Sequence, residues 1–225
     1  MKGKIIVIEG TDCSGKETQS KLLAEKLNQL NFSAIRFSFP MYDTPTGKIV
    51  GGPYLGKTEI CSGYFGETAA SVDPKVSCLY YAADRKYNIW KIKEALSNYN
   101  FVILDRYISS NMAHQSGKID NKVERLNLIK WIDKLEYELL ELPKPDQTIF
   151  LHVPYEYAKE LKKNRTSLDE LEKNQDHLKN AEKAYLELAE LYNWEKIECI
   201  KDNNIIPIEE INEIILQEVL KKQIH

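Results

Sequence analysis

The sequence predicts an α/β fold in which helices flank a parallel sheet of five strands. Five short apolar runs are bounded by turn residues, and longer segments with helical spacing lie between them. Strands that alternate with helices pair in parallel through right-handed crossovers, which gives a three-layer arrangement. At 225 residues, with 43% hydrophobic and 29% charged positions, the chain can bury one substantial core. We therefore expect a single domain over residues 1–225.

The five apolar runs are interpreted as strands, because each is too short for a typical helix and ends at turn residues. In chain order they read KIIVIEG, SAIRFSFP, FVILDRY, QTIFLHVP and KIECIKD. The segments between them carry apolar residues on one side of a helix, as four leucines do in the first segment. We predict helices over about residues 15–30, 74–98, 121–141, 174–193 and 207–222.

Two segments interrupt this alternation. Residues 43–73 hold six of the ten glycines of the chain and are expected to form a flexible surface excursion with one short helix. Residues 159–176 are nearly all polar and alternate in charge, and this composition by itself favours a pair of solvated helices.

Composition excludes several classes of protein. A formal net charge of −3 gives no general attraction to polyanions, so we expect no nucleic-acid partner. The four cysteines lack a C-x-x-C pair, which is typical of reduced thiols rather than of a disulfide framework or a zinc site. No secretory segment is visible, and no apolar run approaches the roughly 20 residues that cross a bilayer. We expect a soluble, cytoplasmic protein without a membrane partner.

Residues 8–20, IEGTDCSGKETQS, have the spacing of a nucleotide-binding phosphate loop. Gly10, Gly15 and Lys16 fit the pattern G-x-x-x-x-G-K, and they lie between a predicted strand and a predicted helix, as that loop requires. Its backbone N–H groups converge on an anion at the start of a helix, while the lysine reaches the β- and γ-phosphates. The residues predicted to bind the phosphates of ATP are Gly10, Thr11, Asp12, Cys13, Ser14, Gly15, Lys16, Glu17 and Thr18.

Glu17 departs from this pattern, since the hydroxyl residue normally found there helps to hold Mg²⁺. A carboxylate can also bind Mg²⁺, but it adds negative charge beside a triphosphate. Thr18 cannot simply take over, because one residue turns about 100° around a helix. The departure weakens the prediction of a metal site more than that of a phosphate site, because backbone groups form the phosphate cradle.

Five landmarks, in order along the chain, resemble motifs of the thymidylate kinases. They are EGTDCSGK in the loop, FP at 39–40, YYAADR at 80–85, DRYISSNMAHQ at 105–115 and LPKPD at 142–146. The resemblance spans residues 5–153 and weakens toward about residue 220. It implies a P-loop NTPase fold with a small helical lid at about 159–176, and transfer of a phosphoryl group from ATP to dTMP with Mg²⁺. It also implies a homodimer through long helices that include 74–98 and 107–116.

By the resemblance, charged residues around one cleft carry the chemistry. Arg106 would reach the acceptor phosphate and the transferring group, Asp105 would bind water or Mg²⁺, and Arg85 would form a fork on the acceptor phosphate. A structural ion pair of Asp105 and Arg106, and an exposed Arg85, are the alternatives. Phosphoryl transfer needs positioning and charge neutralisation rather than a covalent nucleophile.

The interior of the loop, TDCS, contains no arginine, whereas family members carry one either there or in the lid. The resemblance therefore implies that the lid supplies it, and Arg165 is the candidate, with help from Lys162, Lys163 or Lys173. The predicted catalytic residues are Lys16, Asp12, Arg106 and Arg165, and the predicted metal ligands are Asp105 and Glu17.

The acceptor pocket is also assigned by resemblance. Asp12 would bind the 3′-hydroxyl of the sugar or a Mg²⁺-bound water, and Tyr81 would stack on thymine, although it may simply be a core residue. Phe39 and Pro40 would form a wall of the pocket, and Ser110, Asn111 and Gln115 lie where the family reads the edge of the base. The remaining predicted ligands of dTMP are Arg85, Arg106 and His114.

Two departures from the family pattern concern the acceptor. His114 stands where a tyrosine usually lies near the sugar, so exclusion of ribonucleotides is less strict than in a typical member. Tyr42 follows a turn that lacks the usual arginine. Three functions therefore stay open: a dTMP kinase, a related nucleotide or nucleoside kinase with shifted specificity, and an ATP-binding regulator with weak catalysis, which Glu17 suggests.

Overall fold

The predicted α/β architecture is confirmed. The computed structural model describes residues 3–57, 59–162, 171 and 174–222. Its main sheet has five parallel strands in the order β2-β3-β1-β4-β5. The strands are β1 Lys4–Gly10, β2 Ala34–Ser38, β3 Phe101–Asp105, β4 Gln147–His152 and β5 Glu195–Glu198. Each strand coincides with one of the five apolar runs.

The helices begin and end close to the predicted positions. They are α1 Lys16–Gln29, α2 Pro45–Ile49, α3 Pro74–Asn98, α4 Ile108–Ser116, α5 Lys122–Asp133, α6 Tyr155–Lys162, α7 Gln175–Leu191 and α8 Ile208–Lys221. Side-chain caps explain two of the starts: Asp73 accepts hydrogen bonds from the first turn of α3, and Asn121 does the same for α5.

Local details differ from the sequence expectation in three places. The helix predicted over 121–141 changes to a π-helix at Lys134–Leu139, so its second half winds less tightly. The apolar run after β5 continues into a short antiparallel hairpin, Ile200–Lys201 with Asn204–Ile205. Helix α6 begins at Tyr155, four residues before the polar segment 159–176 in which helices were expected.

Two apolar layers enclose the sheet. On one face, Val7, Val102 and Leu104 belong to a cluster that α3, α4, α5 and α7 complete. On the other face, Ile6 and Ile103 belong to a cluster with α1 and α8. Because both faces are covered, the central strands are apolar on both sides, which is why they appear as continuous apolar runs.

The glycine-rich segment 43–73 lies at the surface over residues 59–68, as expected, but its residues 50–55 are mostly buried and pack near α3, which the expectation of a surface excursion missed. Its predicted short helix is α2, followed by a π-turn at Val50–Tyr54. Tyr54 is 2% exposed and donates a hydrogen bond to Ser77 Oγ on α3 at 3.0 Å. Lys118 Nζ donates to the carbonyl of Val72 at 3.0 Å, so the segment is fastened at its far end. Glycine here serves close packing, since a Cβ on Gly47 would lie 1.8 Å from the Met41 carbonyl oxygen.

Among the helices that the structure describes, none combines the length and the apolar character needed to cross a membrane.

Candidate active site

The carboxyl ends of three strands meet at one edge of the sheet. In the register, Ile8 of β1 pairs with Asp105 of β3, and Gly10 of β1 pairs with Leu151 of β4. The loop after β1 and the turn after β3 therefore leave the sheet side by side. We call the space between them the cleft. In open α/β sheets this edge is where ligands bind.

The loop after β1 needs both of its glycines. A Cβ on Gly10 would lie 2.3 Å from Ser14 Oγ and 2.7 Å from the Leu151 carbonyl oxygen, so only glycine fits. Gly15 precedes α1 with a φ of 79°, a left-handed conformation that glycine adopts without strain. Cys13 also has a positive φ, of 62°. The loop thus folds back on itself and ends at the N-terminus of α1, where a helix attracts anions.

Lys16 is the first residue of α1 and lies over the loop. Its Nζ donates a hydrogen bond to the Thr11 carbonyl at 2.7 Å, and the residue is only 6% exposed. Burial, together with the charge of Arg106, lowers the pKa of Lys16 to about 8. The ammonium therefore lies inside the loop, within reach of a phosphate bound there.

Arg106 and Asp12 join the two sides of the cleft. Arg106 Nη2 donates to Asp12 Oδ1 at 2.9 Å, and Arg106 has a φ of 64° that turns the chain sharply after β3. Its backbone N–H donates to the Ile8 carbonyl at 3.1 Å. Burial alone would raise the pKa of Asp12, but the charges of Arg106 and Lys16 outweigh it and hold that pKa well below its usual range.

Glu9 is a central residue of the site that the sequence analysis gave no role. Its buried carboxylate accepts hydrogen bonds from the backbone N–H of Tyr107 at 2.9 Å and from Ser109 Oγ at 2.7 Å. Ser110 donates to it through its backbone at 3.0 Å and through its hydroxyl at 2.6 Å. Tyr185 of α7 adds a bond at 3.1 Å. The available signal was a carboxylate at the end of an apolar strand, which must be satisfied when buried.

Asp105 has a partner that the sequence did not reveal. Arg36 on β2 places its Nη2 2.6 Å from Asp105 Oδ2, and its Nε donates to Ser20 Oγ on α1 at 2.7 Å. Neighbouring strands bring the two residues together, because Ser38 and Asp105 are in register. Arg36 thus adds a third cation beside Lys16 and Arg106.

Arg85 is held by a buried carboxylate. Its Nε and Nη2 lie 2.5 and 2.6 Å from the two oxygens of Glu136, which is fully buried. Asn111 Nδ2 donates to the same carboxylate at 2.9 Å. The guanidinium is therefore already paired in a fork through Nε and Nη2, and Nη1, which has one long contact of 3.5 Å to the Tyr107 carbonyl, does not bind Glu136. Glu136 lies in the π-helix, and no sequence pattern pointed to it.

The predicted acceptor wall lies against α3 and α4. The rings of Phe39 and Tyr107 are 5.9 Å apart, and the Phe39-Pro40 peptide bond is cis. Tyr81 is partly buried and meets Tyr54 edge-on at 5.7 Å. Tyr81 therefore has a core contact on one side of its ring. Its stacking on thymine stays a prediction.

The three residues predicted to read the base differ in their surroundings. Ser110 is engaged with Glu9 and with Tyr185, whose hydroxyl is 3.0 Å away. Gln115 is fully buried, and neither atom of its amide finds a hydrogen-bond partner among the residues described. Asn111 Oδ1 is likewise unpaired there. Buried amide groups without partners are rare in native structures and require an explanation.

His114 contacts a second histidine. Its Nδ1 lies 3.1 Å from His177 Nε2 in the first turn of α7. Arg165, Lys163 and Lys173 lie outside the described residues, and so does most of the lid segment.

The family model for thymidylate kinase matches residues 8–213. The chain belongs to the thymidylate kinase family. Its relatives include a probable thymidylate kinase of Methanocaldococcus jannaschii, 39% identical over 212 residues, which are 93% of each chain. The thymidylate kinase of Plasmodium falciparum is 32% identical over 98% of this chain and 91% of its own. The match covers the loop, the Arg106 turn and the acceptor wall together.

A solved structure supports the fold. A thymidylate kinase from Candida albicans, with a title that reports broad substrate specificity, superposes with a TM-score of 0.76 at 24% identity. The alignment covers 99% of this chain and 93% of that one. The helices and strands therefore follow the thymidylate kinase arrangement over nearly the whole length.

The residues at the cleft can accommodate a Mg²⁺ ion that arrives bound to nucleotide phosphates. In the described part of the chain, no three histidine, cysteine, aspartate or glutamate side chains lie together so that they could hold a metal ion. Mg²⁺ is commonly held by one or two carboxylates together with substrate phosphates, so such a cage is not required. Asp105 lies at the cleft edge with a carboxylate of the right type. Glu17 is 69% exposed at its side chain and pairs with Lys21 at 2.6 Å, along the outer side of α1.

Proposed function

We propose that the protein is a thymidylate kinase that transfers the γ-phosphoryl group of ATP to the phosphate of dTMP, yielding ADP and dTDP. The observation that carries the proposal is the Arg106–Asp12 pair beside Lys16 at the mouth of the loop. The pair sits between the two strand ends from which a donor and an acceptor phosphate would approach each other. A family match over residues 8–213 supports the same reaction.

On the donor side, the loop holds the phosphates of ATP. Its backbone N–H groups and the N-terminus of α1 bind the phosphate oxygens, and Lys16 exchanges the Thr11 carbonyl for a phosphate oxygen. The exchange needs only a rotation of the lysine side chain, because Nζ already lies within 2.7 Å of the loop backbone. Gly10 and Gly15 keep the backbone close to the ligand.

Between the two phosphates, Arg106 neutralises the charge that develops on the transferring group. It is released from Asp12 toward the phosphate, while Asp12 turns to the sugar hydroxyl of the acceptor. Bound Mg²⁺, with Asp105 as the residue that would hold it, would supply further neutralisation of the phosphate oxygens. Arg165 in the lid is the remaining proposed cation, and it closes on the transferring group from outside the cleft.

On the acceptor side, the pocket lies between the turn at Phe39 and helices α3 and α4. Tyr81 contributes a ring face to the base, and Asn111 Oδ1 and both amide atoms of Gln115 have no hydrogen-bond partner in the part of the chain that the structure describes. An amide can both donate and accept, which matches the edge of a thymine base. The bonds to Glu136 hold Arg85 beside the same pocket. We assign Arg85 a role in binding the base rather than the phosphate.

We also propose a homodimer through α3. Val76, Leu79, Tyr87 and Trp90 are 40%, 51%, 53% and 58% exposed. Their spacing along the helix puts them within one face, at about 100° per residue. Helix α4 cannot contribute as the sequence analysis expected, because it is packed between α3, α5 and α7 and has no exposed residue. Sedimentation of wild type and of Trp90→Glu tests the dimer, with the exposed Val123→Glu on α5 as the matched control.

A substrate panel tests the function. A coupled assay of ADP release with Mg·ATP is run over dTMP, dUMP, dCMP, dGMP and the ribonucleotides. We expect dTMP to give the highest kcat/KM. Tight ATP binding in calorimetry without transfer at any Mg²⁺ concentration would contradict the proposal and favour a regulator.

A second candidate is a kinase of the same family with broader acceptor specificity. Its support is the histidine at position 114, which stands where the resemblance implies a tyrosine near the acceptor sugar and which contacts His177 at 3.1 Å. A preferred acceptor other than dTMP in the same panel selects this candidate.

A further inference from the structure

Two histidines meet where α4 packs on α7. His114 Nδ1 lies 3.1 Å from His177 Nε2, and the ring planes differ by 21°. His177 is 6% exposed, and His114 is half-buried. At this distance the two nitrogens share a hydrogen bond between a protonated and a bare ring atom. Of the two rings, one is protonated at this contact and the other is bare, so the tautomer of either ring determines that of the other.

His114 lies beside the cleft. The charges of Asp12, Arg106 and Lys16 all act on its ring, and the ring meets that of Tyr185 edge-on at 5.8 Å. Burial, together with the nearby cations, lowers the pKa of His114 well below its usual value, so the ring is neutral. A neutral imidazole has one donor and one acceptor, and Nδ1 is already used. The described part of the chain supplies no hydrogen-bond partner for Nε2.

His177 is itself held in place. Its backbone N–H donates to the capping side chain of Asn174 at 2.9 Å, which fixes the first turn of α7. Burial, together with the charge of Lys118, lowers the pKa of His177 to about 4, so this ring is neutral as well. The bond joins two uncharged rings, and its strength depends on orientation rather than on charge.

We propose that His177 is a positioning residue for the acceptor nucleotide. Its Nε2 holds the ring of His114 and selects its tautomer, so His114 presents one fixed polar atom, Nε2, to the acceptor sugar. The inference rests on the proposed function, because it takes the acceptor sugar to lie against α4. No covalent bond changes, and the contribution is to the binding and discrimination of the acceptor.

Three variants separate this role from a general structural one. His177→Leu replaces the imidazole with an apolar side chain of similar size and so removes the hydrogen bond. His177→Gln restores an amide that can donate to or accept from Nδ1, and it serves as the conservative rescue. Asp176→Asn, at the exposed preceding position of the same helical turn, is the matched control. If the leucine variant fails to fold, His177→Asn replaces it, since its side chain is too short to reach His114.

The kinetic readout is a split between KM and kcat. We expect His177→Leu to raise the KM for dTMP about three- to tenfold, the effect of one lost hydrogen bond. The KM for ATP and kcat stay within about twofold, and the preference for deoxyribonucleotides over ribonucleotides falls about threefold. His177→Gln recovers most of both losses. A fall in kcat alone, or an unchanged KM for dTMP, overturns the proposal.

A spectroscopic readout does not depend on activity. Imidazole ¹⁵N spectra of the ligand-free protein should show a single tautomer for His114 in wild type and in His177→Gln, and tautomer averaging in His177→Leu. Averaging in wild type overturns the proposal. A locked tautomer in a protein that does not phosphorylate dTMP overturns the acceptor role together with the proposed function, whereas dTMP turnover with an unchanged KM in His177→Leu overturns the role of His177 alone.

Discussion

Two regions of the molecule, the proposed donor loop at residues 10–18 and the proposed acceptor pocket between α3 and α4, differ in the sequence separation of the residues that stabilise them. In the loop, Lys16 binds the carbonyl of Thr11, five residues before it. In the pocket, Arg85 and Glu136 are 51 residues apart, and His114 and His177 are 63 apart. The loop is a local structure that short-range geometry determines, whereas the pocket exists only after four separate segments have packed together.

The two regions also differ in the groups that do the binding. Loop function depends on backbone N–H groups and on two glycines, so most side chains there can vary. The pocket depends on side-chain pairs that are buried and mutually satisfied, such as Arg85 with Glu136. Substitution of Lys16 in the loop should therefore impair catalysis with little loss of stability, and substitution of Glu136 in the pocket should mainly reduce stability. Four experiments test this difference.

Lys16→Ala should abolish turnover, with a loss of at least about 10³-fold in kcat/KM for ATP, because it removes the ammonium that lies inside the loop, 2.7 Å from the Thr11 carbonyl. Stability should change little, and circular dichroism with urea unfolding checks it. Lys21→Ala, one turn later on the exposed side of α1, is the control and should retain wild-type rates. If the Lys16→Ala protein is active, the assignment of residues 10–18 as the loop that binds ATP is wrong.

Glu136→Ala should lower the free energy of unfolding by about 3–5 kcal/mol, because it leaves the guanidinium of Arg85 buried and unpaired. Glu187→Ala is the matched control, since Glu187 pairs with Arg125 at 2.7 Å near the surface and should cost at most about 1 kcal/mol. Urea denaturation measures both. Equal losses in the two variants would contradict the claim that the pocket depends on its buried pair.

A plot of kcat/KM for ATP against pH should fall on its alkaline side because Lys16 loses its proton. Its pKa is about 8 in the folded chain instead of 10.5, so kcat/KM for ATP should fall as pH rises through about 8. Over the window from about 8 to 10.5 the unfolded chain binds more protons at this residue, so its contribution to the free energy of unfolding rises with pH. The Lys16→Arg variant should not show this fall in kcat/KM near pH 8. If the fall persists in that variant, another group causes it.

Glu17→Thr should have the smallest effect. Loss of the Glu17–Lys21 pair costs about 0.3–0.5 kcal/mol, and turnover should remain within about threefold of wild type. The introduced hydroxyl is a better Mg²⁺ ligand beside a triphosphate, so the Mg²⁺ concentration for half-maximal rate should fall. Rates measured over a Mg²⁺ titration check this, and a loss of turnover would show that the carboxylate of Glu17 is needed.

The sequence predicted the fold well because strands buried on both faces and helices with one apolar side leave periodic patterns. It predicted the positions of Lys16, Asp12 and Arg106 because they lie at the ends of contiguous motifs. It missed Arg36 and Glu136, since an ion pair between distant segments leaves no pattern in either segment.

The error over part of residues 43–73 has a similar origin. Glycines there were interpreted as a sign of flexibility, whereas in the folded chain they permit close backbone contact. Whether a glycine loosens a chain or lets it pack tightly depends on its neighbours in space, and local sequence does not contain that information. Predictions for the lid, Arg165 included, fall on residues outside the described ranges and stay predictions.

Glu9 has a consequence for the order of events during turnover. At the floor of the cleft, the carboxylates of Glu9, Asp12 and Asp105 face the cations Lys16, Arg36 and Arg106, three against three. Glu9 accepts its hydrogen bonds from backbone N–H groups and hydroxyls, so these bonds use none of the three cations. Each phosphate that enters then creates an excess of negative charge that this floor cannot offset. In the proposed reaction that excess is offset from outside the floor, by the Mg²⁺ and the lid cation Arg165 that the proposal names, so the charge balance is complete only when both nucleotides and these groups are in place.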